Sequence, residues 1–385
     1  MIGVCIKYFH KNYGGMLQAY ATVSELERRG LAYELIRYEK RVTPVMAIRS
    51  LPRLLNRIFL NDKYEALLKK AGEMRHPEFA RNERVRREAF HRFAEQRFTR
   101  LSPVFKGYEA LCAGAKRYDT VLTGSDQLWS PAGLPTNYYN LMFVPDGIRR
   151  VSYASSFGVG SIPWYQKKRT ARFLKRLDHI SMRESRGAEI VAELTGRQAP
   201  TVLDPVLLFD RQGWEKLIPV RREIEEPYIF AYFLGANPEH REAVRQAAKE
   251  MNCRIVTLRH LDRYVPGDEQ FGDIALYDVG PDRFLNLLRG AEGVCTDSYH
   301  GACFSVLHER PFIAFDRYAA NAGVSKNSRL DTLCRNLGLE DRRYDPARPM
   351  AEQLLAPVDH ESVEHKLSGL RALSMRYLDK ALGDE

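Results

Sequence analysis

An apolar run from Ile2 to Tyr8 leads into a loop, Phe9 to Gly15, and then into apolar positions at helical spacing from Met16 to Arg29. Gly30 supplies a C-cap and Tyr33 to Tyr38 reads as a strand, so the opening predicts a βαβ unit. Strand patterns resume at Asp119 to Leu122 and Arg150 to Ser155, followed by a helix from Tyr165 to Leu177 and a strand at His179 to Met182. A helix at Ser185 to Leu194 and a strand at Pro200 to Val202 complete this series. After a turn-rich stretch, Arg211 to Pro227, a second series begins with strand Tyr228 to Phe233, helix Glu239 to Met251 and strand Arg254 to Leu258. Helix Asp282 to Arg289 then feeds strand Gly293 to Thr296, and helix Ala302 to His308 feeds strand Phe312 to Phe315. Such alternation predicts an α/β protein of two Rossmann-like doubly wound domains, residues 1–210 and 221–361. A terminal helix within 362–385 is expected to pack back on the first domain.

Between about residues 41 and 116 the alternation fails, and the sequence reads as a helical insertion in the first domain. Phe79, Val85, Phe90, Phe93 and Phe98 fall roughly on one helical face, with arginines distributed around it. Charge sharpens the picture. Residues 41–100 hold 15 Lys and Arg against 7 Asp and Glu, and so carry +8 of the chain's net +10. A basic balance points to an anionic partner. Nucleic acid is disfavoured, because the insertion's phenylalanines lie on the face a helix buries rather than interleaved for base stacking. Peripheral contact of residues 41–100 with an anionic membrane is the alternative expected.

Across 385 residues, 44% hydrophobic and 28% charged content is ordinary globular usage, which excludes global disorder, collagen-like repeats and coiled coil. The six cysteines show neither a CxxC pair nor zinc-ligand spacing and read as reduced, small apolar residues; no metal site is expected. No apolar run approaches the ~18 residues of a membrane span, and the first ten residues read as a strand rather than a signal segment. A cytoplasmic protein, peripheral at the inner face of the membrane, is the expectation.

In open α/β sheets ligands bind beyond the carboxyl ends of strands, where helix N-termini offer free N–H groups to anions. That rule selects a few loops. The sharpest is Thr296-Asp297-Ser298-Tyr299-His300-Gly301, in which His300 would serve as an anion donor or general acid. The competing reading makes this stretch a plain helix cap. Gly124-Ser125-Asp126-Gln127-Leu128-Trp129 combines a carboxylate, a hydroxyl and an aromatic ring, as sugar sites do, although Asx turns use the same residues. In Ser181-Met182-Arg183-Glu184 the arginine would clamp an anion, or else pair with Glu184 or a neighbour. Asn12-Tyr13-Gly14-Gly15 lets a ligand approach the backbone but is not a dinucleotide fingerprint. Ser155-Ser156-Phe157-Gly158 and Leu203-Asp204-Pro205-Val206 are weaker loops of the same kind.

Taken in order, these motifs resemble the polysaccharide pyruvyltransferase family, over about residues 3–316 with the basic insertion outside the resemblance. The motifs that carry it are Gly124 to Trp129, Ser152 to Gly158, Ser181 to Glu184, Val202 to Pro205 and Asp297 to Gly301. The resemblance implies a GT-B architecture with the active site between the domains. It also implies transfer of a pyruvyl group from phosphoenolpyruvate to two sugar hydroxyls of a cell-surface polymer or its precursor; free, nucleotide-linked and lipid-linked acceptors all fit the sequence. Phosphoenolpyruvate is then a co-substrate and no cofactor is needed. His300 maps onto the proposed general acid and Arg183 onto the phosphoenolpyruvate contact, with Asp126 as the group that orients or deprotonates the acceptor. Ser298, Tyr299, Gly301 and Arg329 complete the expected donor site, and Asn12, Gly14, Gly15, Ser125, Trp129, Ser155 and Ser156 the acceptor site. Many members carry an arginine where this chain has Ser298; Arg329, in Lys326-Asn327-Ser328-Arg329, is the candidate replacement. The same architecture would also suit a glycosyltransferase using a nucleotide sugar.

Overall fold

A computed structural model of the chain describes residues 1–9, 11–41, 57–131, 137–260, 264–317 and 328–383. Among the described residues, six parallel strands form the first sheet: β1 (Ile2–Cys5), β2 (Tyr33–Glu39), β3 (Leu101–Lys106), β4 (Thr120–Thr123), β5 (Arg149–Ser155) and β6 (His179–Met182). Their spatial order is β3-β2-β1-β4-β5-β6, so the winding reverses between β1 and β4. Five further parallel strands make the second sheet: β7 (Tyr228–Tyr232), β8 (Arg254–Thr257), β9 (Ile274–Ala275), β10 (Gly293–Thr296) and β11 (Phe312–Ala314). Here the order is β11-β10-β7-β8-β9, with the reversal between β7 and β10. Central strands such as Ile2–Cys5 and Gly293–Thr296 are buried at every position, because helices cover both faces; that is why they read as apolar runs rather than alternations.

The insertion is shorter than its sequence suggests. Among the described residues two helices form it, α2 (Arg57–Arg75) and α3 (Pro77–Arg97), which follow α1 (Tyr13–Arg28) of the opening unit. Residues 42–56 of the expected insertion lie outside the described residues. Residues 101–116, expected within it, instead supply edge strand β3 and helix α4 (Tyr108–Ala115). Leu-Ser-Pro-Val-Phe-Lys has no apolar alternation because only one edge of the strand is paired, and Pro103 is tolerated there for the same reason. Helices α5 (Trp164–Arg176) and α6 (Ser185–Thr195) flank β6, while the strand expected at Pro200–Val202 reduces to a single bridge between Thr201 and Met182. The turn-rich stretch opens as a short helix, α7 (Arg211–Leu217), that buries Trp214.

The second half adds α8 (Pro238–Glu250), α9 (Pro281–Arg289), α10 (Tyr299–Leu307), α11 (Ser328–Leu337) and α12 (Met350–Leu355). Helix α13 (His360–Leu382) then returns to the first half. Ser374 Oγ accepts from Leu203 N at 2.9 Å, and Tyr377 donates its hydroxyl to Ser152 O at 2.7 Å.

The two halves close on one another at α1. Tyr13 stacks on Phe284 of α9 at 4.5 Å between ring centroids, donates to Val279 O at 3.0 Å, and meets Phe90 of α3 at 4.7 Å. Helix α3 extends this contact: buried Arg86 donates to Arg259 O at 2.9 Å and Leu276 O at 2.6 Å. Phe79, Phe90 and Phe93 are buried as their spacing predicts, with Val85 half-buried. The insertion is therefore a strut between the halves. Glu83, buried on α3, receives Lys11, Lys69 and Arg87; burial alone would raise its carboxyl, but these three cations hold it at about 2.

Candidate active site

Both sheet reversals open into the cleft between the halves, so the loops after β1, β4 and β10 converge there, joined by those after β5 and β6. At the centre lies Asp204, fully buried. Its Oδ2 is 2.8 Å from Arg183 Nη1, 3.1 Å from the Ser125 hydroxyl that donates to it, and 3.4 Å from His300 Nε2. The His300 contact is an ion-pair distance that lacks hydrogen-bond geometry, since Nε2 has no hydrogen-bond partner. Oδ1 accepts from Val206 N at 3.2 Å, so Asp204 also caps the single 3₁₀ turn Pro205–Leu208. Burial pushes this carboxyl up, but His300 and Arg183 outweigh it and hold the group at about 2.

Arg183 leaves the end of β6 with its side chain fully buried. Nη2 reaches Asp126 Oδ1 at 3.2 Å, and Nε has no hydrogen-bond partner. Asp126, whose φ is +72°, keeps part of its carboxylate open to the cleft. Burial alone would raise its pKa, yet Arg183, Lys7, His300 and Arg329 together drive it far below the carboxylate range. Arg183 thus pairs with Asp204 and Asp126, not with its neighbour Glu184. Glu184 is buried against Ser156, whose hydroxyl donates to Oε1 at 2.8 Å, and burial raises its pKa while Oε2 has no hydrogen-bond partner.

His300 is the second residue of α10. Its ring lies against Gly14, the second residue of α1, where an added Cβ would sit 2.1 Å from Nδ1, so only glycine there lets the halves meet at this histidine. Tyr299 carries two guanidinium groups on its ring, Arg183 at 5.0 Å and Arg329 of α11 at 5.8 Å. Arg329 Nε has no hydrogen-bond partner; burial, and repulsion from Arg183, lower this guanidinium to about 10. A half-buried guanidinium held below its usual pKa marks a place short of negative charge.

A family model described as polysaccharide pyruvyl transferase matches residues 12–317, which hold every site residue named above except Lys7 and Arg329. The chain belongs to this family. No curated protein sequence is significantly similar to it. Among solved structures it is similar to Arabidopsis thaliana UGT89C1 at 12% identity, covering 100% of this chain and 98% of that one with a TM-score of 0.50. It is also similar to UDP-GlcNAc 2-epimerase from Neisseria meningitidis bound to UDP-GlcNAc, at 8% identity, 98% and 99% coverage and a TM-score of 0.48. At such identities the likeness is one of fold, and that fold is GT-B.

Within this pyruvyl transferase family member, the residues expected at the site separate into two groups. His300, Arg183 and Ser125 surround Asp204, Asp126 meets Arg183, Gly14 meets His300, and Arg183 and Arg329 lie over the ring of Tyr299. Lys326 and Asn327, close before Arg329 in the sequence, lie outside the described residues. Trp129 is corrected: its ring is fully buried between Phe157 and Phe173 and its Nε1 donates to Tyr139 O at 3.0 Å, so it is core and not a sugar platform. Ser155 and Ser156 are likewise fully buried and bonded within the protein, Ser155 Oγ accepting from Ser152 and Ser156 Oγ accepting from Gly158 N. Asn12 and Ser298 are helix caps, accepting from Gly15 N at 2.9 Å and Gly301 N at 3.3 Å. Gly301 packs on Thr296, where a Cβ would meet Oγ1 at 2.8 Å. The residue that holds the site together, Asp204, stood among the weaker loops. Its signal was an acidic residue just before Pro205, which also reads as a plain turn cap.

Proposed function

We propose that this chain transfers a pyruvyl group from phosphoenolpyruvate to two hydroxyls of a sugar, forming a ketal and releasing phosphate. The observation that supports this reading best is the pair of guanidinium groups on Tyr299, one of them short of negative charge, beside the histidine at the N-terminus of α10. A small trianion suits such a place. His300 protonates the methylene carbon, which makes the adjacent carbon electrophilic, while Asp204 supplies the negative charge that faces the ring. One acceptor hydroxyl then bonds to that carbon, the C–O bond to phosphate breaks, and a second hydroxyl closes the ketal. Two hydroxyl protons are released; one restores His300 and the other leaves with phosphate. Asp126 is ionised too firmly to be an efficient base, so its role is to accept a hydrogen bond from the sugar and align it.

Thermal shift with phosphoenolpyruvate and with a panel of nucleotide sugars tests the donor. Phosphoenolpyruvate at a hundredfold excess over its Kd is expected to add about 2.7 kcal/mol of stability, and Arg329→Gln to remove most of that gain. Stabilisation by a nucleotide sugar and not by phosphoenolpyruvate would instead make the chain a glycosyltransferase. Gly14→Ala gives an independent check, because its Cβ and the His300 ring cannot occupy the same space. Phosphate release in the presence of acceptor is expected to fall by more than about tenfold, as misplacement of a reacting group does. Circular dichroism should stay unchanged, since Gly14 is the second residue of α1 and alanine suits a helix better than glycine.

A further inference from the structure

Helix α2 has two unlike faces. Gly72 packs on Tyr264 of the second half, where an added Cβ would lie 2.8 Å from that residue's Cβ, and Lys69 Nζ pairs with Glu83 at 3.0 Å. On the other side stand Leu60, Tyr64, Leu67 and Met74, exposed by 47%, 58%, 68% and 77%. At about 100° per residue these four, with Ala71 among them, fall within about 80° of one another. Other large exposed apolar side chains, such as Val220 and Leu355, are scattered along the chain. Exposed Lys63 and Lys70 border one edge of the stripe and exposed Arg75 the other. Along α2 five Lys and Arg stand against three Asp and Glu, and none of the acidic positions borders the stripe.

We infer that this stripe seats α2 in the interface of an anionic phospholipid membrane. An apolar face bordered by cations buries its side chains at the acyl boundary while the ammonium and guanidinium groups meet headgroup phosphates. A protein partner would need no such one-sided cationic border. The strut geometry gives the address a use: α2 rests on α3, α3 spans both halves, and Lys11, just before the α1 turn whose Gly14 faces His300, pairs with Glu83 of α3. Membrane seating through α2 therefore holds the mouth of the cleft near the lipid, where a lipid-linked sugar is presented. That last point rests on the proposed transfer reaction; the docking itself does not.

Co-sedimentation of the full chain with phosphatidylglycerol vesicles and with phosphatidylcholine vesicles tests the docking without any activity measurement. Binding to the anionic vesicles alone is expected, weakened by added salt. Leu67→Glu combined with Met74→Glu should reduce it by at least about tenfold, and Lys63→Glu with Lys70→Glu by about fivefold for each lysine lost. All four positions are exposed, so the variants should keep the parent's thermal unfolding. Three results would overturn the inference: no vesicle binding, binding undiminished in both variants, or a self-association in sedimentation velocity that the Leu67→Glu change abolishes, which would assign the stripe to a second copy of this chain. Loss of vesicle binding with donor binding intact would leave the proposed reaction standing, and the converse would leave the docking standing.

Discussion

His300→Gln is expected to lower phosphate release from phosphoenolpyruvate, in the presence of acceptor, by about 10²–10⁴-fold, the usual contribution of a positioned general acid. The imidazole lies between the Gly14 backbone and the Asp204 carboxylate, and glutamine fills much of its volume without a titrating proton. Donor binding separates chemistry from structure. Arg183 and Arg329 hold the charge on Tyr299 without help from His300, so phosphoenolpyruvate should stabilise the variant nearly as well as the parent. Full activity in His300→Gln would remove the histidine from the mechanism. Lost donor binding would make it a binding group instead.

Asp204→Ala is expected to cost about 3–5 kcal/mol of folding stability, because it strips the main counter-charge from a fully buried guanidinium and leaves Val206 N without its acceptor. Such a loss can prevent folding, so Asp204→Asn is the informative companion. Asparagine keeps an oxygen for Val206 N but removes the charge that Arg183 and His300 face. The pH dependence has a definite sign. Asp204 sits at about 2 in the folded protein, below the unfolded value of about 3.9. Its contribution is therefore fully present above about pH 4 and is lost as the pH falls through the folded value. Urea unfolding should show the parent exceeding Asp204→Asn by a constant margin at neutral pH, narrowing below about pH 4. A margin that does not change with pH would mean that the carboxylate is not ionised in this network.

How legible was the site? The alternation of strands and helices placed most elements to within a few residues, because central parallel strands must be continuously apolar and amphipathic helices must cover them. Leu101–Lys106 escaped, since an edge strand paired on one side needs no such pattern. Arg211–Leu217 escaped because a helix of two turns carries too few periods to read. For individual residues, chemical type was informative and burial was not. Trp129 has the ring a sugar site would use, yet Phe157 and Phe173 enclose it, and no local pattern separates an aromatic that faces a cleft from one that faces a core.

By itself, then, the amino-acid sequence determined the two wound halves, the loops at their carboxyl ends and the ordered motifs that mark the family. These follow from short-range periodicity and composition. Only the tertiary structure decided which of those side chains meet. Asp204, Arg183 and Asp126 come from three separated loops of the first half, while His300 and Arg329 arrive from the second, more than ninety residues beyond Asp204. Their charges become a site because burial removes the water that would otherwise screen each one, and that proximity is a property of the closed cleft rather than of any segment.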